Sequence, residues 1–481
     1  MSGERAPEAD VLAPAVLAAH AASHAADHAD SRTAPDRAQT DRDILRLTWP
    51  VVVSQTIVSA VQLCDILMLG RLGTSTLAAV GYATQFLFLA QACLMAIGAA
   101  GVALISRALG AGEHERARHA LGTTMVLALG TGAALSAIAL AFPRELLHLL
   151  DVPDPIVDLA VPYFRLTLAS AFPLGISIAL EHGHQAARDT RRPMWIATAL
   201  SATKLGLNAL LIFGLFGAPR LGLTGAGVAT LVAQWVAVLL YLITSRRHPE
   251  PSLRLRRADL RTTPARLREA ISIATPAVGE RVLMTVAIMA YFRFLGAYGV
   301  SAIAAYNVGV RILSFTWIPG FGLSVAAATL VGQALGAGDG PLARQSGWRA
   351  TWIGLVLSIV LGAVFILLRV PFAEAFTDDP RVVHDLDSFI LMLGLALPFL
   401  VMHFTLSGAL RGAGDTVTPM WAAAVGNWAF RVPLGFAFAK LWNLSIEWVW
   451  SIMLIDHIAR SIWLGLAFHF RRWDVRQAED G

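Results

Sequence analysis

Strongly polar side chains occur inside long apolar segments of this 481-residue chain. An ionised side chain at the centre of a membrane helix costs about 2.5–3.5 kcal/mol on insertion scales, so it is usually paired, hydrated or functional. The spacing of Gln55, Ser59, Gln62 and Asp65 places them within roughly 120° of one helix face. A stripe of this kind indicates a helix that faces a watery cavity, where a carboxylate can bind a cation or exchange a proton.

A second set of polar residues lies further along the chain. Glu280 follows Pro276 by four residues, and either Arg281 or Arg311 could neutralise it. Arg311 continues a stripe with Asn307 and Ser314, and we interpret it as a counter-ion. Six residues are candidates for lining a substrate cavity: Gln55, Gln62, Gln85, Asn307, Arg311 and His403. A lone helical histidine such as His403 could titrate near neutral pH or serve as a hydrogen-bonded packing residue.

Two further groups have simpler interpretations. Glu181, His182 and His184 are potential metal ligands within four residues, but at the end of an apolar segment we expect them to be solvated, and we predict no metal site. Asp456 and Arg460 are one helical turn apart and should pair with each other. The chain has no GxxxxGK[ST] phosphate loop and no HExxH or GxSxG sequence, so the pattern predicts neither an ATPase nor an enzyme.

Composition identifies the elements that position these residues. Apolar residues make up 56% of the chain, charged residues only 15%, and mean hydropathy is +0.60. Apolar windows longer than the roughly 20 residues that cross a bilayer recur between Ile44 and Phe470. We predict an all-α polytopic membrane protein with twelve spans, at 44–69, 76–106, 120–142, 157–182, 193–216, 222–245, 269–295, 302–332, 348–368, 386–410, 418–441 and 446–470. The two cysteines, Cys64 and Cys93, have no metal or redox spacing.

The arginines and lysines predict the topology. If the N-terminus is cytoplasmic, the connections on that side carry 20 Lys and Arg residues against six on the other side. Basic residues are enriched in cytoplasmic loops, so both termini are expected in the cytoplasm. The densest basic stretch, Arg246–Arg268, is predicted to be a linker that could also lie on anionic lipid.

An internal repeat divides the chain in two. A shift of 226 residues pairs Ala108–Gly112 with Ala334–Gly338, and the same shift pairs Asp189–Trp195 with Asp415–Trp421. Two separated motifs in one register predict two six-helix lobes that share an orientation, and transporters built from such repeats bind substrate between them. The predicted organisation is a tail at 1–40, a first lobe at 41–245, a linker at 246–268, a second lobe at 269–473 and a tail at 474–481.

At these motifs the chain resembles the multidrug and toxic compound extrusion (MATE) family, over roughly residues 41–473. The first lobe contributes Trp49-Pro50, Leu69–Gly73 after Asp65, and Arg107–Gly112. The second lobe contributes Pro276 with Glu280, Pro319–Gly322, Gly332–Gly338, Gly408–Gly412 and Asp415-Thr416. The resemblance implies a V-shaped pair of lobes that exports organic cations or other amphiphiles against inward Na⁺ or H⁺.

The resemblance also implies roles for individual residues. Asp65 matches a helix-1 aspartate that the family uses for cation binding and protonation. Lys204 and Asn208 match a helix-5 polar pair in the same ion site, although the first member in the family is commonly Asn. An ammonium beside Asp65 would compete with bound Na⁺ or move a proton on and off the pair, which favours proton coupling. A purely structural role of Asp65, as a helix cap or as the salt-bridge partner of Lys204, is the alternative.

Glu280 matches a family position for ion or substrate binding in the second lobe. One branch of the family adds a helix-10 aspartate, but here Leu397–His403 contains no acid, which argues against a Na⁺ site in that lobe.

The resulting hypothesis is a secondary antiporter in the bacterial inner membrane, a monomer that exchanges a small-molecule substrate for H⁺ or Na⁺ without a cofactor and does not bind nucleic acid. The alternative is a flippase for lipid-linked saccharides or precursors with a related bilobed fold. Such proteins often carry a strongly cationic cavity, whereas here Asp65 and Glu280 balance Lys204 and Arg311. The polar tail contains His20, His24 and His28, for which a metal or pH-sensing role and compositional drift both stay open.

Overall fold

A computed structural model of the chain describes residues 37–473. Within that range the secondary structure is helical, and eleven helices are long and apolar enough to cross a membrane. The predicted all-α polytopic membrane fold is confirmed. The histidine series of the N-terminal tail and most of the C-terminal tail lie outside the described residues, so the predictions made for them stay predictions.

The first lobe contains six membrane helices. They are α1 Arg37–Gly70, α2 Thr74–Gly110, α3 His114–Ala141, α4 Asp154–Ala186, α5 Arg191–Phe213 and α6 Leu223–Arg246. Helix α4 is interrupted at Ser170, three residues before Pro173, and a short helix Pro143–His148 precedes it.

The second lobe also contains six helices. Its helices are α7 Pro264–Leu295, α8 at 300–336, α9 Gly340–Leu367, α10 Pro380–Gly412, α11 at 417–441 and α12 Ile446–Phe470. Helix α8 is interrupted at Trp317, just before Pro319, and a short helix Arg369–Glu374 precedes α10. Short 3₁₀ turns, Pro251–Leu253 and Arg257–Leu260, form the connection between the lobes.

Helix α11 is the irregular member of the set. Two π-helical segments, Gly426–Arg431 and Ala437–Leu441, divide it into short pieces, so it contains no long regular span. Extra residues inserted into a helical turn change the direction in which side chains point, and such segments are frequent at functional sites. The first of them carries Asn427 and Arg431.

Glycine conformation confirms the repeat at the level of the backbone. Gly73 and Gly299, which precede α2 and α8, have φ of 115° and 90°, and Gly112 and Gly338 both have φ of 75°. A side chain is strained in this region of φ, so each lobe uses glycine where the chain turns between the same pair of helices.

The beginnings of α1 and α7 cross between the lobes. Ile44 and Leu47 of α1 are buried in the core of the second lobe, against residues such as Leu330 of α8. In the same way Ala274 of α7 is buried in a first-lobe cluster with Leu94 of α2. The packing is symmetrical, as expected for two copies of one unit.

The lobes meet at the end of the bundle that carries the 3₁₀ connection, which we call the linker end. A Cβ atom on Gly110 would collide with the carbonyl of Gln333, and one on Gly336 would collide with the carbonyl of Arg107. The Gln333 side chain donates to the Ala186 carbonyl at 2.7 Å and accepts from the Arg188 guanidinium at 2.5 Å. Close backbone contact and these hydrogen bonds join the lobes at the linker end.

Candidate functional site

The structure brings together three of the predicted coupling residues. Lys204 of α5 forms an ion pair with Oδ2 of Asp65 on α1, and the Asn208 amide donates to Oδ1 at 2.6 Å. Asp65 and Lys204 are 14% and 22% exposed, and Asn208 is buried. Both carboxylate oxygens therefore have donors, and the trio carries no net charge.

Local helix geometry explains this arrangement. Lys204 and Asn208 are one turn apart on α5, so the ammonium and the amide point toward the same part of α1. Tyr163 of α4 is buried close enough for its hydroxyl to interact electrostatically with Asp65. A cavity of about 470 Å³ lies beside the trio, lined by Leu67, Met68, Arg71, Ala209, Phe213 and Leu215. This cavity lies at the ends of α1 and α5 opposite to the linker end.

This trio is suited to proton exchange. Protonation of Asp65 would remove the charge that holds Lys204, whereas a sodium ion would need oxygen ligands that the ammonium and the amide now occupy. One proton can thus change two contacts between α1 and α5.

The candidate cavity residues have different environments. The side chains of Gln62, Gln85, Asn307 and Arg311 are exposed, and Gln55 is partly buried. His403 is different: its ring stacks on that of His457 of α12 at 5.2 Å and is largely covered. The roles proposed for these residues stay predictions.

The predicted partner of Glu280 was wrong. Neither Arg281 nor Arg311 pairs with it; instead, Arg411 of α10 donates to its two carboxylate oxygens at 2.9 and 2.7 Å. Arg411 and Glu280 are 131 residues apart in the sequence but lie on two helices of the same lobe. Spacing along the sequence cannot reveal such a contact. Glu280 therefore belongs to a cluster separate from Asp65.

The predicted pair on α12 is confirmed and has a third member. Arg460 donates to both oxygens of the fully buried Asp456 at 2.6 and 2.9 Å. Arg431, in the π-helical segment of α11, contacts Oδ2 of the same carboxylate at 2.7 Å. Sequence reasoning missed Arg411 and Arg431. Arg431 lies in an apolar segment and could have been found by the rule that selected Asp65, whereas Arg411 lies just beyond the predicted span 386–410 and was counted as a residue of a connection.

The prediction that Glu181, His182 and His184 are solvated at the end of α4 was wrong. His182 and His184 are buried and Glu181 is partly buried, because helix α3 and the connection between the lobes cover this end of the helix. The His184 ring has two hydrogen-bond partners: its Nε2 is 3.1 Å from Ser245 Oγ, and its Nδ1 is 3.3 Å from Asp189 Oδ2. The motif residue Asp189 thus lies in a cluster that sequence analysis did not recognise.

The cluster of His184, Asp189 and His248 has the residue types of a metal site, but its hydrogen bonds argue against one. His248 Nδ1 accepts from the Glu250 amide at 3.0 Å, so Nε2 carries the proton and donates to Asp189 Oδ2 at 3.1 Å. The same oxygen accepts from the Arg192 guanidinium at 2.9 Å. A metal would need the Nε2 electron pair that this tautomer lacks.

Asp189 is the hub of this cluster. Burial alone would raise the pKa of its carboxyl group, but hydrogen bonds from His184, His248 and the Arg192 amide hold the pKa well below its usual range. Asp189 therefore stays ionised at neutral pH, and its hydrogen bonds connect the ends of α4, α5 and α6.

Comparison with known proteins agrees with the repeat. The MatE family model matches residues 50–210 and 276–437, two segments that begin 226 residues apart. A probable multidrug resistance protein NorM from Thermotoga maritima is 27% identical over 442 residues, which cover 90% of this chain and 93% of the relative. The multidrug resistance protein NorM from Burkholderia vietnamiensis is also 27% identical, with 92% of this chain and 97% of the relative covered.

The fold has solved counterparts. The crystal structure of the Vibrio cholerae MATE transporter VcmN in the bent form superposes with a TM-score of 0.84 at 22% identity, covering 90% of this chain and 97% of VcmN. This likeness confirms the predicted bilobed architecture of twelve helices. Because the family model matches most of both lobes, the chain belongs to the MATE family of multidrug efflux transporters and is not an enzyme.

Proposed function

We propose that this protein exports amphiphilic small molecules, among them organic cations and drugs, across the bacterial inner membrane in exchange for inward protons. The observation that carries the proposal is the neutral trio of Asp65, Lys204 and Asn208, which holds a titratable carboxylate between two helices of one lobe. The relatives named as multidrug resistance proteins support drug-like substrates.

The coupling step follows from the two contacts of Asp65. A proton that enters from outside neutralises the carboxylate, releases Lys204 and changes how α1 packs on α5. Each proton that crosses the field contributes about 2.3 kcal/mol per 100 mV, so one or two protons can drive accumulation against a gradient. We favour H⁺ over Na⁺ because an ammonium already occupies the cation position beside the carboxylate.

The orientation in this proposal follows the arginines. The linker end carries the basic loops, which favour the cytoplasmic side, so the N- and C-termini and the connection between the lobes are cytoplasmic. Because the lobes are in contact at that end, we propose that this state is closed toward the cytoplasm. We further propose that the protein works as a monomer, with substrate exchanged between its own two lobes.

Purified protein in liposomes can test this proposal. A pH gradient and a Na⁺ gradient are imposed separately, and export of a fluorescent amphiphile is followed in each case. We expect transport under the pH gradient, none under the Na⁺ gradient, and none in either case for Asp65→Asn. Asp158→Asn is the matched control, because Asp158 is an exposed carboxylate paired with Arg144, and its loss should leave transport unchanged.

The outcomes separate the alternatives. Transport driven by Na⁺ alone would contradict proton coupling. Flipping of a labelled lipid-linked saccharide without dye transport would favour the flippase reading, which the multidrug relatives do not favour.

A further inference from the structure

The second lobe contains a charged network that the coupling step does not use. It consists of the Glu280–Arg411 pair between α7 and α10 and the Arg431–Asp456–Arg460 triad between α11 and α12. Arg460 also interacts electrostatically with Glu280, and His403 with both Arg411 and Arg460, so the two groups form one connected cluster.

This cluster has an excess of positive charge. Arg281 of α7 is exposed and interacts electrostatically with Glu280 and Arg411, but among residues 37–473 no carboxylate forms an ion pair with it. With Arg281 included, four guanidinium groups face two carboxylates. The trio of the first lobe, by contrast, is balanced.

Several polar atoms of the cluster lack partners in the part of the chain that the structure describes. They are Arg411 Nε, His403 Nδ1, His457 Nδ1 and Asn427 Oδ1. His457 is 6% exposed and Asn427 is fully buried, so these side chains are not simply facing bulk water. Of these atoms, Arg411 Nε is a donor, and a buried donor without an acceptor is costly, whereas Asn427 Oδ1 is itself an acceptor and would not bind an anion.

The chemistry selects the ligand. Unbalanced positive charge inside a membrane protein is expensive, and an anion neutralises it. Guanidinium groups bind carboxylate, sulfonate and phosphate oxygens in a planar geometry with charge-assisted hydrogen bonds. Arg281 is the exposed donor available for such a group, while the buried triad maintains the positive potential.

We infer that the second lobe binds an anionic group of the exported molecule, so that the preferred substrates are zwitterionic or anionic amphiphiles and not simple organic cations. This inference rests on the proposed efflux function and specifies its substrate class. Proton coupling at Asp65 and recognition of an anion at Arg281 would then lie in different lobes.

A matched pair of dyes tests the inference. One is a rhodamine that carries a free carboxylate, and the other is the methyl ester of the same dye, which is a cation. Fluorescence polarisation with the purified protein measures the Kd of each, and liposomes with a pH gradient measure export. We expect the acid to bind about tenfold more tightly than the ester, as one charge-assisted contact would give.

The variants make the assignment specific. Arg281→Gln should raise the Kd of the acid about tenfold and leave that of the ester unchanged. This change removes no ion pair, so folding should be preserved. Arg293→Gln is the matched control, the same substitution twelve residues further along α7 in its last turn, and should change neither Kd.

The failures are distinguishable. Equal binding of the two dyes, or an equal loss of both in Arg281→Gln, would overturn the inference. If the ester is still exported under the pH gradient in that case, the proposed efflux function stands. If neither dye is exported while the acid binds selectively, the inference on anion binding is supported and the efflux proposal fails.

Discussion

The two lobes share a backbone plan but place their charges differently. At the repeat distance of 226 residues, Asp65 corresponds to Tyr291, a buried residue whose hydroxyl donates to the Val449 carbonyl at 3.0 Å. Conversely, Glu280 corresponds to Ser54, whose hydroxyl only bonds its own helix at Val51. Glycines such as Gly110 and Gly336 were kept in both copies, while Asp65 and Glu280 were not.

This difference implies a division of labour. The first lobe holds one carboxylate in a balanced trio, so that gain of a single proton changes its contacts. The second lobe holds its carboxylates among more arginines than they can neutralise, which leaves an excess of positive charge there. The proposed proton exchange therefore belongs to the first lobe, and the proposed binding of anions belongs to the second.

The largest effect is expected from Asp65→Asn. If the charge of Asp65 must turn over during transport, this variant should abolish export while its abundance in the membrane stays normal, because Asn has the same size. The double variant Asp65→Asn/Lys204→Met leaves no unpaired charge, and we expect it to be inactive too. Drug resistance of cells and immunoblots of membranes provide the measurements.

Recovery of resistance in that double variant would show that Asp65 is only the salt-bridge partner of Lys204. The proposed division between the lobes would then lose its first half.

A smaller but clear effect is expected from Asp456→Asn in the second lobe. Removal of this carboxylate leaves Arg431 and Arg460 buried without a counter-ion, a type of change that costs about 3–5 kcal/mol. We expect less protein in the membrane and a lower Tm. Adding Arg460→Gln should restore part of the stability, since the original balance of charge returns. A Tm of the single variant equal to the wild-type value would show that the triad is hydrated, not buried.

Helix-level features could be predicted from the sequence because they depend on local patterns. Apolar windows predict the spans, the repeat predicts two lobes, and a spacing of four residues predicts the Asp456–Arg460 contact. The family resemblance pointed to Asp65, Lys204 and Asn208, which the structure does bring together.

Contacts between helices were the part that the sequence could not reveal. The Arg411–Glu280 pair depends on how α10 lies against α7, and the Arg431–Asp456 pair depends on the π-helical segment that reorients Arg431. Burial of His184 likewise depends on the elements that cover the end of α4, which an apolar window does not show. Spacing along one helix predicts neighbours on that helix only.

The smallest effect concerns the sequence motif Asp189–Trp195, which the second lobe retains as Asp415–Trp421. Asp189 and Asp415 each accept a hydrogen bond from a backbone amide three residues on, of Arg192 at 3.2 Å and of Thr418 at 2.9 Å. Oδ2 of Asp189 also contacts the rings of two histidines, His184 and His248. Oδ2 of Asp415 instead accepts hydrogen bonds from the Thr418 hydroxyl and the Arg471 guanidinium. The same cap is therefore more deeply integrated in the first lobe.

We expect Asp189→Asn to lower the Tm more than Asp415→Asn, because Asn cannot accept the same charged hydrogen bonds and leaves buried histidine donors poorly satisfied. The pKa of Asp189 is depressed in the folded protein, so its contribution is complete above the ordinary Asp pKa of about 4 and is lost only as pH falls toward the depressed value. The Tm difference between wild type and Asp189→Asn should consequently stay constant from about pH 6 to pH 8. Thermal unfolding of both variants across that range measures it. Equal losses of Tm in the two variants would mean that the histidines add nothing to the cap, and the two lobes would then be equivalent at this motif.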